Sequence, residues 1–349
     1  MIKPCISNCA LQYSNTKLQQ LQWHYLPAYA RGVAPALQEL APVILGGAPV
    51  GAEALMARAD AILPGHVYAK SALDIALWDI TGQAAGLPIH ALMGGRRQES
   101  LPLYHSITCV DPDEMARIAH EAKANGITQF QAKLGASGDW QTDIERLFKV
   151  REAVGPGPLV YGDWNCGATT LDAIRVGRGV AHLDIMLEQP CATLEDCARV
   201  QSATGLPMKL DELAHDTASM LQAHSLGIMD AVALKLSKFG GLSATRRARD
   251  LCLHLGAKMC VECTWGSDIV TAAALHLALL AVGVGPGDLV VLPSLTFIAS
   301  ANAIRFCGAE PWLMDVAAHS WNLDPVEVAA RLEADTRREG GKLIHQPTG

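Results

Sequence analysis

The 349-residue chain lacks the marks of several large protein classes. Its first twenty residues, MIKPCISNCALQYSNTKLQQ, contain no apolar stretch leading to a small-residue cleavage site, so a secretory leader is not expected. The longest apolar run, Ala272 to Val284, is interrupted by His276. It falls short of the ~20 residues a bilayer requires, so no membrane partner is expected. No basic block stands out and the net charge is −7, which argues against nucleic acid as a partner. No Gly-x-Gly-x-x-Gly follows an early strand, so a dinucleotide fold has no support. The ten cysteines are scattered, and the one close pair, Cys260 and Cys263, has no second pair near it. Buried thiols in a reducing cytoplasm explain them better than a zinc site.

Half of the residues are hydrophobic, enough for a large core. The region from Tyr29 to Ala61 reads as helical. Ala69 to Gln83 reads as a strong helix with Leu73, Leu77 and Ile80 on one stripe, and a short helix follows before Gly94-Gly95. Then a rhythm begins. Short β-rich runs at Leu101–Ile107, Ile127–Lys133, Pro158–Asp163, Asp184–Glu188, Met208–Asp211, Ala231–Lys235 and Lys258–Cys263 alternate with helical stretches. Such alternation predicts a parallel sheet with crossover helices. Seven units of similar length favour an α/β fold of the closed (β/α) TIM type.

The charged residues repeat with the fold. Lys133, Asp163, Glu188, Asp211 and Lys235 are spaced by 30, 25, 23 and 24 residues, each about one βα unit. Each falls at the C-terminal end of a strand, where a barrel keeps its active site. Three carboxylates arriving together repel unless a cation neutralises them. An all-oxygen set suits a hard ion, so Asp163, Glu188 and Asp211 are candidate ligands for one Mg²⁺. Lys133 and Lys235 flank the trio. They are candidates for a general acid/base pair on opposite sides of a substrate; the plainer reading is an internal salt bridge for each. Gln131 and Lys209 stand two residues before Lys133 and Asp211, so both are expected to point inward and tune their neighbours. Asn165 reads either as a residue orienting a metal ligand or as a turn residue before Gly167. Lys238 reads as a solvated loop residue and Glu212 as a structural carboxylate. Glu262 alternates with Val261 and Cys263. Trp265, after the seventh strand, either stacks on a substrate ammonium or simply packs.

From about Tyr25 to Leu277 the chain resembles the mandelate racemase and muconate-lactonizing branch of the enolase superfamily. The motifs that carry the resemblance are AKSALDIALWDITGQAAGLPIHALMGG, FQAKLG, YGDWNCG, LEQP, KLDEL, ALKLSKFGG and ECTWGSDI. The resemblance implies Lys133 and Lys235 as the acid/base pair and Asp163, Glu188 and Asp211 as metal ligands. It also implies removal of the proton α to a carboxylate. Gln131 stands where many relatives carry a first lysine, which leaves Lys133 as the base. YLPAYARG, LPGHVYAKSALD and CTWGSDI look most like enzymes acting on hydroxyproline and its betaine, either 2-epimerases or cis-3-hydroxyproline dehydratases. Family likeness implies a small-molecule carboxylate partner and a symmetric homo-oligomer. Tyr25 and Tyr29 lie where relatives place a substrate-covering loop, though packing suits Tyr29 better.

Both ends depart from that pattern. Residues 1–98 are expected to be a truncated α+β capping domain and 99–278 an incomplete barrel. Residues 279–349, which include GPGDLVVLPSLTFIASANAIRFCGAEPWLMDV, resemble the start of PLP-dependent sugar aminotransferases. That piece is expected as a foreign βαβα segment: Leu289–Leu292, Phe297–Phe306, Pro311–Val316 and a helix over Pro325–Glu339. It carries no Schiff-base lysine in a matching motif, so PLP is not an expected cofactor. Asp288–Pro293 is a candidate for the eighth-strand slot of the barrel. An inactive remnant of two genes is the alternative reading.

Overall fold

A computed structural model of the chain describes residues 32–45, 51–87, 89–93, 103–135, 138–262, 289–294, 310–315, 323, 325–339 and 342–346. The first part is helical: α1 (Val33–Ile44), α2 (Ala52–Ile62), α3 (Val67–Ala85) and the short α4 (Ile89–Leu92). The repeating part follows as β1 (Tyr104–Ile107), α5 (Pro112–Ala124), β2 (Gln129–Lys133), α6 (Trp140–Val154), β3 (Leu159–Asp163), α7 (Thr170–Val180) and β4 (Ile185–Glu188). It continues with α8 (Leu194–Thr204), β5 (Met208–Leu210), α9 (Thr217–Ser225), β6 (Ala231–Lys235), α10 (Leu236–Phe239), α11 (Leu242–Leu255) and β7 (Lys258–Glu262).

The seven strands form one curled parallel sheet in sequence order, β1 to β7. Local chemistry marks the helix starts. Asp111, Asp139, Thr169, Thr193 and Asp216 each accept a backbone N–H at the start of the helix they precede, which satisfies donors the helix cannot pair internally. Along each strand, alternate residues turn outward to the helices. Phe130, Ala132, Val160, Leu187, Leu210 and Val232 pack there with Met115, Leu147, Val150, Val176 and Val200. The inward positions include Gln131, Lys133, Asp163, Glu188, Lys209, Lys235 and Glu262, and that parity puts the chemistry on the concave face.

The N-terminal helices form a second core, in which Leu40, Leu55, Met56, Leu73 and Trp78 meet Leu236 and Leu242. The junction is polar at its centre. Asp74 accepts from Ser243 N at 2.9 Å and from Ser243 Oγ at 2.5 Å. Trp78 Nε1 donates to the same hydroxyl at 2.8 Å. Gly241 (φ 116°) makes this approach possible, because a Cβ there would stand 2.4 Å from Asp74 Oδ2.

Two expectations for the C-terminal part need correction. β8 (Leu289–Pro293) pairs in parallel with β9 (Glu310–Met314) in a separate two-stranded sheet, so it does not supply an eighth strand. One edge of β8 is taken by β9, and among the described residues neither strand pairs with the larger sheet, which stays open. The last helix, α12 (Pro325–Asp335), stops short of Glu339. Thr336–Glu339 becomes strand β10 and pairs antiparallel with β11 (Lys342–His345). A ladder begun at the β-branched Thr336 wins over one more helical turn. The expected element over 297–306 lies outside the described residues. No helix among the described residues is long and apolar enough to cross a membrane.

Candidate metal and acid/base site

The register places the charged residues side by side. Lys133 is paired with Asp163, Asp163 with Glu188, and Lys235 with Glu262. Asp163, Glu188 and Asp211 are all fully or almost fully buried. Gln131, also buried, donates Nε2 to Asp163 Oδ2 at 3.0 Å and to Glu188 Oε2 at 2.7 Å, and so bridges the two carboxylates. Lys133 Nζ donates to Asp163 Oδ2 and, at 3.1 Å, to Asn165 Oδ1. On the other side Lys235 Nζ donates to Asp211 Oδ2 and lies 3.5 Å from Glu262 Oε2. The two lysines thus flank the carboxylates, with β3, β4 and β5 between their strands.

Asn165 turns the chain just past β3 and reaches two carboxylates. It takes a left-handed conformation (φ 47°), as a turn residue would. Its N–H donates to Asp163 Oδ1 at 2.9 Å, and its Nδ2 donates to Glu212 Oε1 at 3.0 Å. Lys209 is buried as expected, 2.7 Å from Glu262 Oε1 and 3.1 Å from Glu188 Oε1. Its Nζ also stands 4.3 Å from the ring centre of Tyr161. Trp265, Tyr25 and Tyr29 lie outside the described residues.

Lys238 is the clear correction. It is not solvated: it is 7% exposed, and its Nζ donates to Asp211 O at 2.5 Å, Asp211 Oδ1 at 2.9 Å and Ala233 O at 3.0 Å. The residues after β6 do not form an open loop but the short helix α10, which turns Lys238 back under the strand end. Glu262 is the residue that sequence reasoning missed. Ligand atoms of Glu188, Asp211 and Glu262 all lie within 4.8 Å of one another. The spacing held a signal, since Glu262 follows Lys235 by 27 residues, close to the common interval. Extending the strand to Cys263 hid its place at the strand end.

Electrostatics divide the carboxylates. Burial, then repulsion from Asp163, pushes Glu188 up to about 8. Burial also raises Asp163, against the pull of Lys133. Burial and repulsion from Asp211 push Glu212 up to about 7. Burial acts on Asp211 in the same sense, but Lys238 and Lys235 together outweigh it and hold this carboxyl below its ordinary range. Glu262 is likewise held low, as Lys209 and Lys235 overcome its burial.

The residues fit a hard divalent cation. Glu188 Oε1 is buried with no well-aligned hydrogen bond, the Lys209 ammonium standing 3.1 Å from it, so it retains capacity to bind a cation. Burial disfavours the charged forms of Asp163 and Glu188, and a bound divalent cation would offset that cost.

Comparison with known proteins shows the family. The family model for the enolase C-terminal domain-like fold matches residues 114–292, and the model for the mandelate racemase / muconate lactonizing enzyme N-terminal domain matches residues 23–94. The chain belongs to the enolase superfamily. Cis-3-hydroxy-L-proline dehydratase of Roseibium aggregatum is 42% identical over 73% of this chain and 69% of its own length. N-succinyl-L-Arg/Lys racemase of Bacillus cereus is 31% identical over 68% of this chain and 65% of that protein. A solved mandelate racemase/muconate lactonizing enzyme from Roseovarius nubinhibens superimposes with a TM-score of 0.69 at 35% identity, over 74% of this chain and 71% of that one. An enolase-superfamily member of the same organism, complexed with magnesium, has a TM-score of 0.69 at 32% identity and covers 91% of this chain and 78% of that chain. The first family match runs to residue 292, past the junction expected at 278. These superfamily relatives are dehydratases, racemases and epimerases, and this chain is an enzyme of that kind.

Proposed function

We propose that the enzyme removes the proton α to the carboxylate of hydroxyproline or its betaine, in a site that holds one Mg²⁺. The observation that carries this reading is the pair of lysines hung on carboxylates at either end of the acidic cluster, Lys133 on Asp163 and Lys235 on Asp211. The substrate class rests on likeness to the hydroxyproline dehydratase. Asp163, Glu188 and Asp211 would hold the metal, with Glu262 beside Glu188 and Asp211, its ligand atom within 4.8 Å of theirs. Glu262 pairs with Lys209 and Lys235 much as Asp211 pairs with Lys235 and Lys238, so the choice of Asp163 over Glu262 as third ligand rests on the family likeness. A bound divalent cation would supply positive charge opposite the substrate carboxylate.

Deprotonation needs one lysine as the neutral amine, which takes the α-proton and becomes an ammonium. For epimerisation, the opposite lysine returns a proton to the other face of the same carbon. For dehydration, the C–H electron pair becomes a Cα=Cβ bond and the β C–O bond breaks. The departing hydroxyl takes a proton from the opposite ammonium and leaves as water. A hydroxyproline betaine would favour the first course and a 3-hydroxyproline the second.

Incubation with Mg²⁺ and the hydroxyproline isomers in deuterated water, followed by proton NMR, tests the reading. Loss of the α-proton signal with the hydroxyl retained marks epimerisation, and an unsaturated product marks dehydration. Absence of α-exchange with every hydroxyproline and betaine isomer would overturn the substrate class. The alternative of an inactive remnant is disfavoured by a family match that spans most of the repeating part.

A further inference from the structure

We infer that Gln189 is a positioning residue that fixes where Asp211 stands. This rests on the preceding reading of Asp211 as a metal ligand. Asp211 lies just past the end of β5, which has only three residues, Met208–Leu210. The ladder pairs Lys209 and Leu210 with β6 and goes no further. Sheet pairing therefore does not hold the Asp211 backbone, and something else must.

Gln189 does so from the neighbouring strand end. It follows Glu188, is fully buried, and takes a left-handed conformation (φ 36°) that bends the chain off β4 and under the next strand end. Its side-chain Oε1 accepts from Asp211 N at 3.0 Å and from Leu213 N at 3.2 Å. Its Nε2 donates to Cys191 O at 2.9 Å. Its own backbone N–H donates to Lys209 O at 3.0 Å, and its carbonyl accepts from Cys166 N at 2.8 Å. One residue thus ties together the chain beyond β3, β4 and β5, the three strands that carry Asp163, Glu188 and Asp211.

The chemistry requires a primary amide. Two backbone N–H groups need one oxygen with two lone pairs, and the Cys191 carbonyl needs a donor from the same side chain. A carboxylate meets the first demand and not the second. An apolar side chain meets neither, and it leaves the Asp211 and Leu213 N–H groups buried without acceptors. Backbone strain at a non-glycine left-handed residue persists only where the surroundings determine it, and such positions gather at functional sites.

The test is Mg²⁺ titration by calorimetry on the full chain, with thermal unfolding of each metal-free variant measured alongside. Gln189→Met is expected to weaken Mg²⁺ binding about 10- to 100-fold, the usual loss when a residue supporting a ligand is removed. Gln189→Glu keeps both acceptances but sets a carboxylate oxygen against the Cys191 carbonyl, so its loss is expected to lie between wild type and Gln189→Met. Val150→Ala, a core change on α6, is expected to lower the unfolding temperature without moving the affinity. Wild-type affinity in Gln189→Met, or a loss in Gln189→Glu as large as in Gln189→Met, overturns the inference. If Gln189→Met does not fold, Gln189→Asn, which withdraws the oxygen by one methylene, is read the same way. Asp211→Asn separates the two layers of argument: if it binds Mg²⁺ like wild type, the ligand reading itself falls. If it loses binding while Gln189→Met does not, only the role of Gln189 falls.

Discussion

Lys209 and Glu262 form an ion pair inside the concave face of the sheet, 2.7 Å apart, with both side chains 3% exposed. The lysine also serves Glu188 at 3.1 Å and lies against the faces of Tyr161 and Tyr104. Burial works against its charge, but Glu188 and Glu262 more than offset that, so the ammonium is retained. Removing one partner of such a pair leaves an uncompensated buried charge, at a cost of about 3–5 kcal/mol. Lys209→Met is therefore expected to destabilise by that amount, and Lys209→Met combined with Glu262→Gln by distinctly less. A double-mutant cycle in urea reads the coupling directly. Additive losses would show that the pair is not coupled.

Metal binding should release protons. Burial and repulsion from Asp163 push Glu188 up to about 8, so proton and cation compete for this carboxylate near neutral pH. A cation bound to that carboxylate competes with the proton. Mg²⁺ affinity is expected to rise with pH and to level off above about 8. Calorimetry in two buffers of different ionisation enthalpy counts the protons released, and a count of zero at pH 7 contradicts the assignment. In the same titrations, Asp163→Asn is expected to weaken binding more than Glu262→Gln. At Mg²⁺ one hundred times its Kd, wild type should gain about 2.7 kcal/mol of stability.

Much of this arrangement was legible from the periodicity alone. Strand ends lie together in a parallel α/β repeat, so evenly spaced charges mark Lys133, Asp163, Glu188, Asp211 and Lys235 as neighbours on one face. What periodicity does not encode is where the backbone turns after a strand. Lys238 was misread because the short α10 folds it under Asp211, a contact made by three acceptors from two segments. Glu262 was missed for want of one residue of strand parity. Gln189 carried no charge to draw attention, and its importance lies in hydrogen bonds to residues 22 and 24 positions away. The tail shows a different limit: a helical pattern over Pro325–Glu339 says nothing of a strand partner at Lys342–His345 that captures its last four residues.

The two lysines are expected to divide the chemistry by face. Lys133→Met and Lys235→Met should each lower turnover by about 100- to 10,000-fold, the usual contribution of a general acid or base. If the reaction is an epimerisation, each variant should still exchange the α-proton of one epimer with deuterated solvent and lose exchange with the other. If it is a dehydration, the variant lacking the base should lose exchange altogether. Loss of all exchange in one variant and none in the other would assign the base. Equal retention in both would exclude the pair from proton transfer.

The polar junction between α3 and α11 sets a pH dependence that is separate from the active site. Asp74 is buried between the two helices, and that burial pushes it up to about 6, partly countered by its hydrogen bonds from Ser243 and the charge of Arg247. The unfolded chain carries this group at its ordinary 3.8. The folded state therefore holds the proton more tightly. The associated stability is fully present below the ordinary value and is lost as pH rises through about 6. Linkage puts the difference at about 3 kcal/mol across that interval. Asp74→Asn removes the titration and leaves an oxygen able to accept from Ser243. Its unfolding free energy should lack this component between pH 4 and 6 (about 3 kcal/mol), while wild type loses stability over the same range. Equilibrium unfolding at a series of pH values measures both slopes. Identical slopes in the two proteins would mean that Asp74 ionises in the folded state as freely as in the unfolded one.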